Sequence, residues 1–292
     1  MTGKFKITAE YLNEIGACRA GLMAFKREFP DGAEYQTVLD RCVEKDWLDF
    51  GTWLMAKVGK TDDVLTFEED INDPERTILF AGCIEFKLGA VVKLILAGDG
   101  IKAGEGIKAG WGIEAGEGIK AGWGIEAGEG IKAGEGIKAG EGIKAGEGIK
   151  AGWGIKAGWG IKAGDGIKAG EGIKAGEGIE AGWGIKAGDG IKAGDGIKAG
   201  WGIEAGEGIK AGWGIEAGDG IKAGEGIKAG EGIEAGEGIK AGWGIKAGCD
   251  FGIFAGIRIK LSRWSVDAQV IAKTRPDNLI SGYWAVSEDK PE

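Results

Sequence analysis

The stretch Ile101-Lys102-Ala103-Gly104-Glu105-Gly106 opens a block in which six residues, Ile-Lys-Ala-Gly-x-Gly, recur without insertion or deletion to Gly248. Isoleucine stands at 101, 107, 113 and every sixth position up to 245, which makes 25 consecutive copies. Alanine follows each isoleucine by two. The second position is Lys 19 times and Glu six times; the fifth, x, is Glu, Asp, Trp or, once, Cys (Cys249). A strict short period is the mark of a stacked repeat, because one copy cannot bury its apolar face alone.

In an extended strand, residues two apart share a face, so Ile and Ala point one way and Lys the other. Gly-x-Gly then reads as the bend, with glycine expected to supply positive φ. The expected interior is therefore Ile and Ala, the wetted face Lys, and the outer corner x. Freedom at x supports this placement, since no packed interior accepts Glu, Asp and Trp interchangeably.

Collagen is excluded, because it needs glycine at every third position and abundant proline. A disordered, elastomer-like segment is the competing reading: about one repeat residue in three is glycine, which loses the most entropy on ordering. Among ordered forms, the left-handed triangular β-helix also uses a hexad. In that family, however, the small inward residue precedes the aliphatic one by two, a place held here by x. The preferred architecture is thus a mainly β, two-sided solenoid with two hexads per rung, with a three-hexad triangular β-helix second. At ~4.8 Å per rung, the two forms give rods of about 60 Å and about 40 Å.

The flanks read as caps, which an open stack needs over its edges. Residues 1–60 form a helical cap. Asp31 and Glu34 have capping-box spacing ahead of an apolar face of Val38, Leu39, Cys42 and Val43. A second helix follows Asp46, burying Trp47, Phe50, Trp53, Leu54 and Val58 and ending at Gly59. Residues 61–76 are polar and acidic and read as a solvated connector; their order does not match a calcium loop. Residues 77–100 alternate as lead-in strands, with Ile95 to Gly100 a degenerate hexad. After the 101–248 repeat, residues 249–286 read as a β-rich cap. In it, Phe251 and Ile253 take the places of Ile and Ala, Val266, Ala268 and Val270 alternate, and a turn at Pro276 precedes Leu279 to Val286. Residues 287–292 read as a frayed tail.

Composition narrows the chemistry. The 292-residue chain carries a formal charge of -9 and no histidine. An acidic balance argues against nucleic acid or anionic membrane as a partner. Missing histidine removes the general base of hexad-repeat acyltransferases and the usual Ser-His-Asp and Cys-His arrangements. Cys18, Cys42, Cys83 and Cys249 show no metal-ligand spacing and read as buried, reduced thiols, with a Cys18–Cys42 disulfide the minor alternative. The recurring Gly-x-Gly lacks Gly-Lys-Ser/Thr, so turn chemistry explains it better than a phosphate loop. No secretory signal and no apolar span of membrane length is present. We therefore expect a cytoplasmic, non-enzymatic protein with no metal and no cofactor.

Trp111, Trp123, Trp153, Trp159, Trp183, Trp201, Trp213 and Trp243 all occupy x and are the candidate partner-binding residues. Exposed indole beside lysine suits a protein surface, self-association into a homo-oligomer, or stacking on bases and sugars. The plainer alternative is that each indole lies flat over its own glycine-rich backbone. An acidic rod can also imitate DNA, but the lysine rank offsets most of that field.

Gly16-Ala17-Cys18, Phe29-Pro30-Asp31-Gly32-Ala33 and Trp53-Leu54 resemble a helical segment of uncharacterised phage and prophage proteins, and the hexad block resembles hexapeptide-repeat β-solenoid blocks in similar proteins. The resemblance implies no catalytic residue. It implies a mobile-element protein acting on a host or phage protein. The leading expectation is a rigid scaffold or protein-binding solenoid. A DNA mimic or nucleic-acid-binding solenoid is the alternative, and an enzyme confined to the flanks is the third.

Overall fold

The structure is a computed structural model that describes residues 5–259 and 261–286; the 287–292 tail lies outside the described residues. The chain is mainly β, a parallel β-solenoid with helices at its N-terminal end. Each hexad contributes one three-residue strand, as in Ile101–Ala103, with Ile and Ala buried and the residue between them turned outward. Ile155 and Ala157 retain 1% and 3% exposure, and the same pattern repeats along the rod. Ile and Ala thus form the dry interior expected of them.

The rung corrects the sequence reading. Ile101 pairs in parallel with Ile119, Lys102 with Lys120 and Ala103 with Ala121, so a turn contains three hexads, not the preferred two. The first face starts from Ile101, the second from Ile107 and the third from Ile113, each recurring every third hexad.

The corners explain the triangle. Each bends the chain by a third of a turn, which leaves its backbone inside the ladder. Ile119 N donates to Gly136 O (2.9 Å), Gly122 N to Ala103 O (3.1 Å), and the corner residue Glu117 N to Asp99 O (3.1 Å). The left-handed backbone expected of the bend glycines is absent from the repeat: positive-φ glycines among the described residues are Gly16, Gly32, Gly59, Gly256 and Gly282.

Glycine in the repeat therefore serves close approach, not positive φ. At the fourth position, a Cβ on Gly158 would lie 1.8 Å from Gly140 O of the preceding turn. At the sixth, a Cβ on Gly160 would lie 3.3 Å from Gly178 O. Where hexad stacks on hexad the fourth position excludes every side chain, though Gly110, over Lys93, has room; the sixth is only tight.

The helical unit comprises α1 (Ala9–Glu14), α2 (Arg19–Glu28), α3 (Tyr35–Glu44) and α4 (Leu48–Val58), with strands β1 (Lys6–Ile7) and β2 (Ala33–Glu34) paired antiparallel. The expected capping box at Asp31 is absent. Glu34 is the α3 N-cap and makes no side-chain cap bond, because residues 33–34 are held by β1 and Gly32 takes the left-handed turn (φ 76°). Leu54 and Val58 are buried on α4, and Gly59 ends it at φ 89°.

The stretch expected as a solvated connector already belongs to the rod. It contains β3 (Val64–Phe67) and the start of β4 (Ile71–Phe80), which pair with β5 (Cys83–Phe86) and β6 (Ala90–Ala97). Its carboxylates mark the outer side of strands, not the lack of them. Phe67 stacks on Phe86 at 5.1 Å where the isoleucine column begins. The helices pack on Leu79, Ala81 and Leu96. Gln36 of α3 donates to Leu79 O (2.9 Å) and accepts from Ala81 N (3.2 Å), so one amide side chain completes part of the β4 edge.

At the other end, Ile253 takes the isoleucine place by pairing with Ile233, so Phe251 does not; two extra residues sit in that corner. Val266 lies in a short helix (Trp264–Asp267), and the strand starts only at Gln269–Ala272. Leu279–Ser281 and Tyr283–Val286 add the last strands of the second and third faces.

Two glycines of one hexad test the stacking. Gly158→Ala should lower stability by roughly 1–3 kcal/mol or more through overpacking against backbone, and Gly160→Ala by clearly less. Amide exchange across the flanking turns measures both. Equal, small effects would mean that the turns do not approach as described.

Candidate functional site

Three faces and three edges present the variable residues in straight columns. The first edge, between first and second faces, carries Trp123, Trp159 and Trp213 among Glu and Asp. The second edge carries Trp111, Trp183 and Trp201; the third carries Trp153 and Trp243. All eight indoles are solvent-exposed, from 42% at Trp111 to 65% at Trp243.

Four of the eight already have partners. Lys93 Nζ sits 4.1 Å from the Trp111 ring centroid and Lys273 Nζ 4.7 Å from that of Trp243. Trp183 and Trp201, on successive turns, stack at 5.5 Å with planes 7° apart. Among the described residues Trp123, Trp153, Trp159 and Trp213 meet neither ring nor cation. Three of these four share the first edge. They stand two and then three turns apart and line one groove, floored by the Gly-Ile backbone of the second face and closed by Phe251.

The charged positions are also sorted. On the second and third faces, Lys and Glu of adjacent turns pair: Lys162 with Glu180 (2.9 Å), Lys186 with Glu204 (2.9 Å) and Lys198 with Glu216 (3.0 Å), while Lys132 pairs with Glu114. The hydrogen bond and charge of Glu216 raise the Lys198 pKa, and the hydrogen bond from Lys186 lowers that of Glu204. These exposed pairs contribute little each. They neutralise the second face, where four Lys meet four Glu, while the third keeps six Lys against two Glu.

Lys60, just past α4, reaches the third edge, bonding Glu117 and lying 3.6 Å from Asp99. Its hydrogen bond to Glu117 raises the Lys60 pKa and lowers that of Glu117; burial, with Glu117 nearby, raises that of Asp99.

Among the described residues no group of three or more His, Cys, Asp or Glu is placed to hold a metal ion, and no helix is long and apolar enough to cross a membrane. The cysteines differ from the expectation of uniform burial. Only Cys42 is buried, and burial pushes its thiol up to about 12. Cys83 is half-buried and shifted the same way by desolvation, while Cys18 and Cys249 are exposed. No disulfide joins Cys18 and Cys42; Cys18 Sγ instead accepts from Gly21 N (3.4 Å), capping α2.

Residues 1–61 match the family described as the YdhT N-terminal domain, a span that includes every segment of the helical unit singled out above. No curated protein and no solved structure matches the chain.

Burial and thiol acidity together set the order of modification by a disulfide reagent at mildly alkaline pH. Cys18 and Cys249 should react first, Cys83 more slowly, and Cys42 only on denaturation. Rapid labelling of Cys42, read by peptide mass mapping, would show the helical unit to be open.

Proposed function

We propose that this chain is a non-enzymatic, rigid protein-binding rod whose contact edge is the Trp123–Trp159–Trp213 column. The observation that carries this reading is the alignment of three unpartnered, exposed indoles on one straight edge of a scaffold that cannot flex to hide them. Indole supplies large contact area with few torsions to freeze, which is why it dominates binding hot spots.

Spacing favours a folded protein over a polymer. Two turns separate Trp123 from Trp159 and three separate Trp159 from Trp213. A glycan or nucleic acid of constant repeat calls for constant intervals; a globular surface has pockets at its own positions. Sign favours it too, because Glu141, Glu177 and Asp195 stand between the indoles and the second face, which floors their groove, mixes Lys with Glu. Within that groove a phosphate backbone finds no continuous cation. The resemblance of the helical unit and hexad block to phage and prophage proteins adds a setting: a host or phage protein as the partner, inside a bacterial cell.

Capture from bacterial lysate tests the edge. A triple variant, Trp123→Glu, Trp159→Glu and Trp213→Glu, should lose at least roughly tenfold of the retained partner, while Trp153→Glu on another edge keeps it. Unchanged capture by the triple variant, at unchanged circular dichroism, would remove this edge from consideration.

A further inference from the structure

The first face differs from the other two. Its second position is lysine on every turn from Lys102 to Lys246, and all six second-position glutamates fall on the second and third faces. In-register parallel pairing places Lys120 beside Lys138 and Lys156 beside Lys174, one rung (~4.8 Å) apart. Like charges directly opposite in a sheet are unfavourable. The second face relieves this by pairing Lys with Glu of an adjacent turn, and the third does so in part, at Glu114 and Glu204. Among the described residues, none of the nine first-face lysines is ion-paired, and all are exposed.

A counter-charge of the same pitch lies next to them. The third edge carries Glu117, Glu135, Glu171, Asp189, Glu207 and Glu225, interrupted by Trp153 and Trp243. This column and the lysine column form the two walls of a groove of about 1800 Å³ running the length of the repeat, with Gly and Ile backbone as its floor. Lys60 shows what the edge accepts, since its ammonium sits across the carboxylates of two successive turns, Asp99 and Glu117.

We propose that this groove is the interface between two copies of the chain lying side by side and parallel, each lysine column against the other's carboxylate column. The arrangement follows from the order of the columns. A two-fold axis along the rods, midway between the columns, lays lysine on carboxylate in both directions and at equal height. A two-fold axis across the rods lays lysine on lysine. In the parallel pair, Lys174 meets the second copy's Glu171, Lys192 its Asp189 and Lys210 its Glu207, and Lys156 meets the indole of its Trp153.

Pitch selects the occupant. The spacing of both columns is set by backbone hydrogen bonds, so two copies match over all nine turns with no strain, which a flexible acidic chain cannot do without ordering cost. A linear polyanion fits less well, because the same groove presents a near-equal number of carboxylates to it. The contact is isologous and closes at two copies. It uses a different surface from the Trp123–Trp159–Trp213 edge and does not depend on that reading.

Sedimentation velocity on the full chain at low and high salt tests the pairing, with two charge-reversed variants. One carries Lys174→Glu, Lys192→Glu and Lys210→Glu; the other carries Glu171→Lys, Asp189→Lys and Glu207→Lys. All six side chains point outward, and unchanged circular dichroism confirms the fold. The unaltered chain should dimerise at low salt and dissociate at high salt. Each variant alone should bind itself at least roughly tenfold more weakly. An equimolar mixture of the two should recover the dimer, because the reversed columns are complementary again. A monomeric unaltered chain at low salt, or dimerisation untouched by either reversal, would overturn the proposal. So would a single-stranded DNA probe bound by the unaltered chain and lost with the lysine variant while sedimentation stays the same. Variants that lose the dimer but still capture a lysate partner separate this surface from the tryptophan edge.

Discussion

The turns of this rod stack so closely that a fourth-position glycine faces the carbonyl of the preceding turn with no room for a Cβ. From that approach the rest follows. It lets the ladder run through the corners, so isoleucine, glycine and even the corner residue donate to the neighbouring turn. With backbone needs met at every position, the burden of glycine's lost entropy is offset by cooperativity along the stack. The second and fifth side chains take no part in that bonding. They are free to vary, and the chain varies only there.

The interior was legible from period and polarity alone, because Ile and Ala two apart can share a face only in a strand. The rung was not, because a hexad satisfies that rule whether two or three copies close a turn. The deciding quantity is the bend per corner, and Gly-x-Gly suits a sharp reversal as well as a gentle one. One weak sign was present: Glu never replaces Lys in the hexads starting at Ile101, Ile119 and every third copy after them. Asp31 misled because a strand pairing at Ala33 overrode a local capping pattern. Residues 61–76 misled because their acidity was read as absence of structure, when it marks the outer side of the first strands.

The tryptophans were identifiable as corner residues, yet their grouping needed the rung. With three hexads per turn, Trp123, Trp159 and Trp213 fall on one edge and Trp183 stacks on Trp201; with two, they would sort otherwise. Lys93 and Lys273 lie outside the perfect repeat, so nothing in the hexad pattern assigns them to Trp111 and Trp243. Electrostatics was obscured in the same way. A nearly balanced repeat in composition becomes, once wound, one neutralised face, one partly neutralised face and one wholly cationic face bordered by an acidic edge.

A uniform screw has a difficulty that its decoration resolves. If every turn were alike, any partner reading the rod would bind equally well one turn up or down, and two rods would slide past each other at no cost. The backbone cannot choose, since each step regenerates the same ladder. The unequal two- and three-turn intervals of the first-edge tryptophans forbid such a slip, because shifting by one turn sets indole against carboxylate. On the third edge, Trp153 breaks the carboxylate column in the same manner. The irregular fifth position is therefore where an otherwise translation-symmetric object acquires a single register, which is why its lack of period is a property of the surface and not noise in the repeat.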